Sequence, residues 1–374
     1  MPDRRRTSEP SNRPSVRAVA FFLPQFHPIP ENNEWWSPGF TEWTNVARAQ
    51  PLFPGHDQPH IPADLGFYDL RIPEVRAAQA ELAACHGIEA FCYWRYWFDG
   101  RQVLERPFQE VLSSGQPRFG FCLAWANENW TGIWAGDRSR VLIEQTYPGR
   151  DDYTRHFLDV LPAFRDDRYF RVYDRPLFFV HRPHLIPDPE TFTAHWRELA
   201  ERHGLAGLYL VAEAVGEWRP VEHGFDAEVR TPLAFLLERP WPLEKLTGMS
   251  RTLRRGPLLY PYRILARHQR PAARSPQPEL PMVLPNWDNT PRSGRRGFVL
   301  RGSTPSLFRR ALSNAVASVQ SLPRDERIVF LKSWNEWAEG NYLEPDQRYG
   351  DRYLRAVSDV VLHAAPGSSI PSIN

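Results

Sequence analysis

Eight short and nearly continuous apolar runs, most of them separated by helical patterns, constrain the fold of this chain more than any other feature of its sequence. A strand that is apolar along its whole length is typical of a parallel sheet with both faces covered. Between the first two runs, apolar residues from Ile72 to Cys85 recur every three or four positions, which is the spacing of one helix face. The eight predicted strands are Val16–Leu23, Ile88–Trp94, Phe119–Trp125, Pro176–His181, Leu208–Glu213, Phe225–Arg230, Met282–Trp287 and Ile328–Trp334.

This alternation of strands and helices predicts the fold class and the domain organisation. Strands that alternate with helices pair in parallel, and eight repeats within this length predict a single α/β (β/α)8 TIM-type barrel. Two stretches interrupt the alternation, and we expect them to be long inserted loops: Phe26–Leu70 after strand 1 and Arg239–Leu280 after strand 6. We expect residues 1–15 to form a disordered tail, residues 16–366 the barrel domain, and residues 367–374 a C-terminal tail.

The charge balance and several missing motifs exclude whole classes of function. The 374 residues carry 46 Lys and Arg against 44 Asp and Glu, so no nucleic-acid partner is expected. No run approaches the roughly 18 apolar residues of a membrane helix, and the N-terminus lacks an apolar segment, so we expect no membrane insertion and a cytoplasmic location. The three cysteines are too few for a zinc site, and the GxGxxG, Walker A and HExxH motifs are absent, so neither a metal nor a cofactor is expected.

Polar and aromatic residues follow the ends of the predicted strands. In a (β/α)8 barrel the active site lies at the C-terminal ends of the strands. Trp, Asn, His and carboxylate side chains recur there, and most of the 14 tryptophans, including Trp134, fall at or just after a predicted strand end. Flat aromatic faces suit sugar rings, so this placement predicts a tryptophan-lined cleft, with a tryptophan-rich core as the alternative.

The strongest catalytic candidates are Glu336 and Glu339, which follow the last strand and are flanked by tryptophans. Cleavage of a glycosidic bond uses two carboxyl groups: one protonates the leaving oxygen, and the other supplies negative charge near the anomeric carbon. Two carboxylates three residues apart converge if the chain turns sharply after the strand. The alternative is a pair of solvated glutamates at the start of a helix, where the helix dipole favours them.

A larger group of residues at the strand ends and in the first insertion is predicted to bind the substrate. Each has a structural alternative, such as a hydrogen bond to a buried carbonyl, a loop cap or a turn-forming side chain. The predicted substrate-binding residues are His27, Trp43, His60, Tyr93, Trp94, Trp125, Asn127, Glu128, Trp287, Asp288, Asn335 and Trp337.

Six motifs carry a resemblance to a known family. They are FFLPQFHPIPENNEWWSPGFTEWTNV (Phe21–Val46), QPHIPADLGFYDL (Gln58–Leu70), FCYWRYWFDG (Phe91–Gly100), LAWANENWT (Leu123–Thr131), NWDNTPR (Asn286–Arg292) and WNEWAEGNYLEP (Trp334–Pro345). Through them the chain, from about Arg17 to Ala365, resembles the WbsX-like proteins. These are described both as glycosyltransferases of bacterial polysaccharide gene clusters and as glycoside hydrolase family 99-like.

The resemblance implies a retaining (β/α)8 enzyme without a metal. Glu336 matches the family 99 base that takes a proton from the sugar 2-hydroxyl and gives a 1,2-anhydro intermediate. Glu339 matches the general acid/base at the glycosidic oxygen. Ala338 departs from the family 99 pattern, which has His at this position, and this departure bears on the preference for mannose.

The residues and the resemblance together predict a carbohydrate-active enzyme whose partner is an oligosaccharide or polysaccharide. The carboxylate pair, and the absence of an Asp-x-Asp motif, favour a retaining glycoside hydrolase with an endo-α-mannosidase-like mechanism. The first alternative is a glycosyltransferase of cell-surface polysaccharide biosynthesis, of the O-antigen or capsule type. The second is a catalytically inactive carbohydrate-binding barrel, in which the two glutamates would point to opposite sides of the barrel mouth.

Overall fold

The structure is a computed structural model that describes residues 14–132, 137–233, 256–268 and 278–362. Several sequence predictions lie outside these residues: the N-terminal tail apart from its last two residues, the C-terminal tail 367–374, Trp134, and most of the insertion predicted after strand 6. In the part of the chain that is described, no helix is both long and apolar enough to cross a membrane.

Eight parallel strands form a closed barrel within the described residues. They are β1 (Arg17–Phe22), β2 (Ile88–Phe98), β3 (Gly120–Trp125), β4 (Arg175–Val180), β5 (Tyr209–Glu213), β6 (Ala227–Arg230), β7 (Glu279–Val283) and β8 (Ile328–Leu331). Each strand pairs in parallel with the next one along the chain, and β1 also pairs in parallel with β8, which closes the barrel. The predicted (β/α)8 TIM-type fold is confirmed.

Helices cover the outside of the barrel and occupy the long connections. They are α1 (Pro30–Trp35), α2 (Glu42–Arg48), α3 (Pro73–Cys85), α4 (Arg106–Ser114), α5 (Arg150–Phe164), α6 (Pro189–Arg202), α7 (Tyr262–His268), α8 (Thr290–Ser293), α9 (Pro305–Ser318) and α10 (Arg352–Val361). The connection between β5 and β6 contains a 3-10 turn, Pro220–His223. The insertion predicted after strand 1 is confirmed, and it contains α1 and α2.

The seventh strand differs from its prediction. The sequence predicts Met282–Trp287, but the strand starts at Glu279 and ends at Val283. Pro281 within the strand and Pro285 just after it both lack an N–H to donate to a ladder, so the hydrogen bonds that would extend the strand beyond Val283 are lost. The remaining residues of the predicted run therefore belong to the loop at the barrel mouth.

Alternate residues of the strands point into the barrel, where aromatic rings form the floor beneath the mouth. Phe21 of β1 stacks on Trp94 of β2 with ring centroids 4.8 Å apart. It also meets Phe179 of β4 at 5.1 Å and Phe330 of β8 at 5.5 Å. All four side chains are buried. This packed layer fills the interior, so the chemistry is confined to the residues above it.

The other strand residues point outward and pack beneath the helices. Trp125, at the end of β3, is fully buried against His156 of α5 and Phe192 of α6. Trp196 of α6 packs on the same two rings and donates its indole N–H to the Tyr153 carbonyl at 3.0 Å. Aromatic packing of this kind fixes α5 and α6 against the barrel.

Candidate active site

The loop that follows β8 brings two glutamates together. A short antiparallel pair, Asn335–Glu336 with Asn341–Tyr342, is joined by a 3-10 turn over Trp337–Glu339. The Asn335 side chain fixes this loop to the end of β1: its Oδ1 accepts from Leu23 N at 2.7 Å, and its Nδ2 donates to Leu23 O at 3.0 Å. The turn places the carboxyl groups of Glu336 and Glu339 in hydrogen-bond contact with each other. They do not point to opposite sides of the barrel mouth.

Glu336 is buried among groups that favour its ionised form. The Trp94 indole N–H donates to Oε1 at 2.8 Å, and Lys332 Nζ lies 3.7 Å from the same oxygen. Burial by itself raises the pKa of a carboxyl group. The charges of Lys332 and Arg292, together with the donated hydrogen bonds, outweigh burial and hold the pKa of Glu336 below its ordinary value.

Glu339 is also buried, but its surroundings favour the protonated form. Burial raises its pKa to about 8, against the effect of Arg292, which donates to its Oε1; the negative charge of Glu336 adds to the rise. At neutral pH Glu339 therefore holds a proton while Glu336 is ionised. Two carboxyl groups in contact whose pKa values diverge in this way match the division of roles between an acid and a base.

Arg292 and Glu42 complete the cluster, and neither is among the predicted site residues. Arg292 is the third residue of α8, and its NH2 group donates to Glu42 Oε1 at 2.7 Å. The same Glu42 oxygen accepts from the backbone N–H of Ala338 at 2.9 Å. Both residues fall within motifs that the sequence analysis singled out, but their contact joins loops 250 residues apart.

A second set of charged side chains lies at the end of β4 and β5. Nδ1 of His181 is 2.6 Å from Glu213 Oε2, and the imidazole meets the Trp94 ring edge-on at 5.3 Å between centroids. Burial alone would raise the pKa of Glu213, but His181 and Arg182 hold it below its ordinary value. Glu128 is half-exposed beside them, with its Oε2 3.3 Å from Arg182 Nε.

Asp288 lies on the other side of the loop that carries the glutamates. Its Oδ2 accepts from Gln58 Nε2 at 2.8 Å and is 2.7 Å from His56 Nε2, while Oδ1 accepts from Thr290 Oγ1 at 2.6 Å. Asp288 and His60 both line a cavity of about 180 Å³. The carboxylate of Asp288 is therefore held by protein groups from two loops.

Several other predicted residues support the site from beneath. The Trp337 ring stacks on Tyr342 at 3.8 Å, and its N–H donates to Glu344 Oε2 at 2.6 Å. Trp43 packs on Trp337 at 5.5 Å. His27 is buried, with Nδ1 3.1 Å from the Pro24 carbonyl. The contacts of Trp337 and Trp43 fix the loop that carries the two glutamates, whereas the contact of His27 lies within the loop after β1.

Three predicted residues make their side-chain contacts away from the carboxyl pair. Tyr93 points outward, on the opposite face of β2 from Trp94, and packs against Phe22 and Phe108. Trp125 lies under the outer helices, as described above. The side chain of Asn127 joins two loops, since its Nδ2 donates to the Arg182 carbonyl at 2.7 Å and its Oδ1 accepts from Arg182 N at 2.7 Å. Trp287 is half-buried, and its carbonyl accepts from Leu300 N at 2.8 Å.

Gly340 ends the turn in a conformation that requires glycine. Its φ is +59°, and a Cβ at this position would lie 2.9 Å from Asp288 N and 2.8 Å from Asp288 Cβ. The Asp288 N–H donates to the Glu339 carbonyl at 2.6 Å, so a displacement here moves Glu339 directly.

We expect Gly340→Ala to lower the free energy of unfolding by about 2–4 kcal/mol, because the left-handed φ and the backbone overlap both oppose a methyl group. Urea unfolding measures this. Gly302→Ala is the matched control, since Gly302 has φ +80° and open space around its Cβ position. Equal losses in the two variants would contradict the close approach to Asp288.

Comparison with known proteins places the chain in a family. A family model described as Glycosyltransferase WbsX matches residues 18–357. The chain belongs to the WbsX family. This is a family of carbohydrate-active enzymes, and the match spans the whole barrel, from β1 to α10.

The WbsX-family chain also matches two curated proteins named WxcX from Xanthomonas campestris pv. campestris. It is 39% identical over 369 residues to the protein of strain B100, covering 96% of this chain and 51% of that protein. It is 40% identical over 351 residues to the protein of strain ATCC 33913, covering 92% of this chain and 50% of that protein. The chain thus spans about half the length of these curated relatives.

Solved structures similar to the WbsX-family chain share its barrel. A glycoside hydrolase-like protein aligns with a TM-score of 0.60 and 15% identity, covering 92% of this chain and 94% of that one. The GH99 endo-alpha-mannosidase from Bacteroides thetaiotaomicron, in complex with Bis-Tris propane, aligns with a TM-score of 0.55 and 13% identity, covering 91% and 95%. At identities of 15% and 13%, the similarity to these structures shows a shared fold.

Proposed function

We propose that this chain hydrolyses α-linked glycosidic bonds of an oligosaccharide or polysaccharide with retention of anomeric configuration. The observation that carries the proposal is the contact between Glu336 and Glu339, two buried carboxyl groups of which one is ionised and the other protonated at neutral pH. Glycosidic cleavage needs one acid and one group that supplies negative charge. Both are available here, above the aromatic floor of the barrel.

In the first step the two glutamates act in opposite directions. The Glu336 carboxylate takes the proton of the sugar 2-hydroxyl, and the 2-oxygen attacks the anomeric carbon. The bond from that carbon to the glycosidic oxygen breaks, and the proton of Glu339 passes to the departing oxygen. The products are a 1,2-anhydro sugar, the released alcohol, a protonated Glu336 and an ionised Glu339.

The second step restores both groups. The Glu339 carboxylate takes a proton from water, and the water oxygen attacks the anomeric carbon. The bond to the 2-oxygen breaks, and Glu336 returns its proton to that oxygen. Two inversions at the anomeric carbon give net retention, and the enzyme ends with the protonation state in which it began.

The surrounding residues supply binding and electrostatic support. Lys332 and Trp94 hold Glu336 ionised before the first step. Glu128 and His181 lie at the adjoining part of the barrel mouth. There the Glu128 carboxylate can accept hydrogen bonds from sugar hydroxyls, and the His181 imidazole can exchange hydrogen bonds with them. The polarity of these groups and the flat Trp94 ring suit a carbohydrate.

A screen of defined α- and β-linked oligosaccharides tests the proposal. We expect hydrolysis of at least one α-linked glycan, with proton NMR of the first product showing the α-anomer. The double variant Glu336→Gln/Glu339→Gln is the matched control and should leave the same glycan intact. Appearance of the β-anomer, or equal turnover by the control, would contradict the assignment.

Glycosyl transfer is the second candidate, and the description of the family model favours it. In transfer, a sugar hydroxyl would take the place of water in the second step and the rest of the chemistry would be unchanged. Mixtures of glycan and acceptor sugar distinguish the two outcomes: longer products without free reducing sugar support transfer.

A further inference from the structure

Arg292 links the two loops that surround Glu339. Its guanidinium is almost fully buried, and its two terminal nitrogens bond to different carboxyl groups: NH1 to Oε1 of Glu339 and NH2 to Oε1 of Glu42. Arginine presents several donors in one rigid plane, so a single side chain can hold two carboxyl groups at fixed positions.

Glu42 fixes this arrangement to the backbone. Its Oε1 accepts from Arg292 and also from the N–H of Ala338, the residue immediately before Glu339. Glu42 is fully buried at the start of α2, where its position is set by packing rather than by water. Arg292 and Glu42 therefore hold the side chain of Glu339 and the turn that carries it as one unit.

These bonds determine where the proton of Glu339 can reside. A guanidinium has donors only, so the oxygen that it contacts must accept. The carbonyl oxygen of a carboxylic acid is a stronger acceptor than its hydroxyl oxygen, so the contact with Arg292 favours Oε1 as the carbonyl oxygen of protonated Glu339 and Oε2 as the oxygen that carries the proton. On Glu336, the indole N–H of Trp94 donates to Oε1.

We propose that Arg292 is a positioning residue that fixes which oxygen of Glu339 carries the transferable proton, and that Glu42 holds Arg292 in this orientation. The proposal rests on the function proposed above, because it assigns a role within that site. Without Arg292, Oε1 of Glu339 loses the donor that favours it as the carbonyl oxygen, and either oxygen could carry the proton.

The charges around Glu339 come from three parts of the fold. Arg292 precedes the end of α8, Glu42 starts α2, Lys332 follows β8 and Glu336 lies in the same loop. Tyr96 of β2 faces Glu336 from the barrel wall, and burial raises the pKa of its hydroxyl far above neutrality. Three carboxyl groups thus face two cations, and one shared proton makes the cluster neutral.

Carbon-13 NMR of side-chain-labelled glutamate, assigned through Glu339→Gln, tests this without any substrate. We expect Arg292→Gln to raise the pKa of Glu339 by about one to three units, because an adjacent positive charge is removed. Arg292→Lys keeps the charge but lacks the planar fork that holds two carboxyl groups at separate fixed positions, so a smaller rise in the pKa of Glu339 is expected. Glu42→Gln should lower the pKa of Glu339, because a negative charge is removed.

The infrared carbonyl band of protonated Glu339 tests the choice of oxygen. Loss of the donor to Oε1 should move this band to higher wavenumber in Arg292→Gln and Arg292→Lys. Arg95→Gln is the matched control, since Arg95 is a buried arginine paired with Asp159 on the outer face of β2. It should change neither the band nor the pKa of Glu339.

A purely structural role gives a different pattern. If Arg292 only held the loop closed, its loss would admit water, and the pKa of Glu339 would fall towards that of a free glutamate in both Arg292 variants. A fall or no change in Arg292→Lys, with an unmoved carbonyl band, overturns the proposal even if Arg292→Gln does not fold. Because both readouts are independent of turnover, a chain that cleaves no glycan would overturn the proposed function and leave this result standing.

Discussion

Glu339→Gln is expected to lose about 10²–10⁴-fold in kcat/KM on a glycan with a sugar leaving group, and far less on the corresponding glycosyl fluoride. The physical reason is that fluoride departs without a proton, so the acid is needed for the glycan and not for the fluoride. Steady-state kinetics on the two substrates measure the difference. The proton that Glu339 holds at neutral pH, with its pKa raised to about 8 by burial, is the one that the glycan requires.

Glu336→Gln is expected to behave differently and to lose activity on both substrates, because a leaving group of any kind still needs the 2-oxygen to attack. Glu344→Gln is the matched control: Glu344 is a buried carboxyl group eight residues further on that bonds to Trp337, Tyr68 and Gln79. The Glu344→Gln variant should show the same ratio of activity on the glycan to activity on the fluoride as the unsubstituted chain. A Glu339→Gln variant that loses equal activity on the glycan and the fluoride would contradict its role as the acid.

Trp125→Ala is expected to lower the free energy of unfolding by about 3–5 kcal/mol, because a fully buried indole is removed from beneath α5 and α6. Urea unfolding followed by circular dichroism measures the loss. In the protein that remains folded, KM for the glycan should be unchanged. Trp125→Phe keeps an aromatic ring in place and should lose much less stability.

This prediction separates the two interpretations of the tryptophans. If Trp125 contacted a sugar, as its position in the sequence predicts, its removal would raise KM while the urea midpoint stayed near that of the original chain. Trp196→Ala provides the comparison for stability, since Trp196 packs on the same rings from an outer helix. The two alanine variants should lose similar stability.

The barrel could be predicted because buried parallel strands leave a direct mark on the sequence. A strand covered on both faces must be apolar throughout, so each of the eight runs lies where a barrel strand is found. The ends of the strands were less well determined. The seventh predicted run continues to Trp287, but the strand ends at Val283, and Pro285 has no N–H with which to extend the ladder.

The glutamate pair was also accessible from the sequence, since residues three apart converge in a single tight turn after the last strand. Its electrostatic condition was not. The pKa values of Glu336 and Glu339 diverge because Lys332 and Trp94 contact one carboxyl group while burial dominates the other. Such differences depend on distances of a few ångströms, which spacing along the chain does not specify.

The sequence by itself determined the eight-stranded barrel, the long insertion after the first strand and the turn with two glutamates, because each is encoded in residues close together along the chain. The tertiary structure decided which side chains meet. Trp94 and Trp125 both end a predicted strand, yet one faces the carboxyl groups and the other the outer helices, because successive strand residues point to opposite faces. Arg292 and Glu42 meet across 250 residues because barrel closure brings their loops to one mouth.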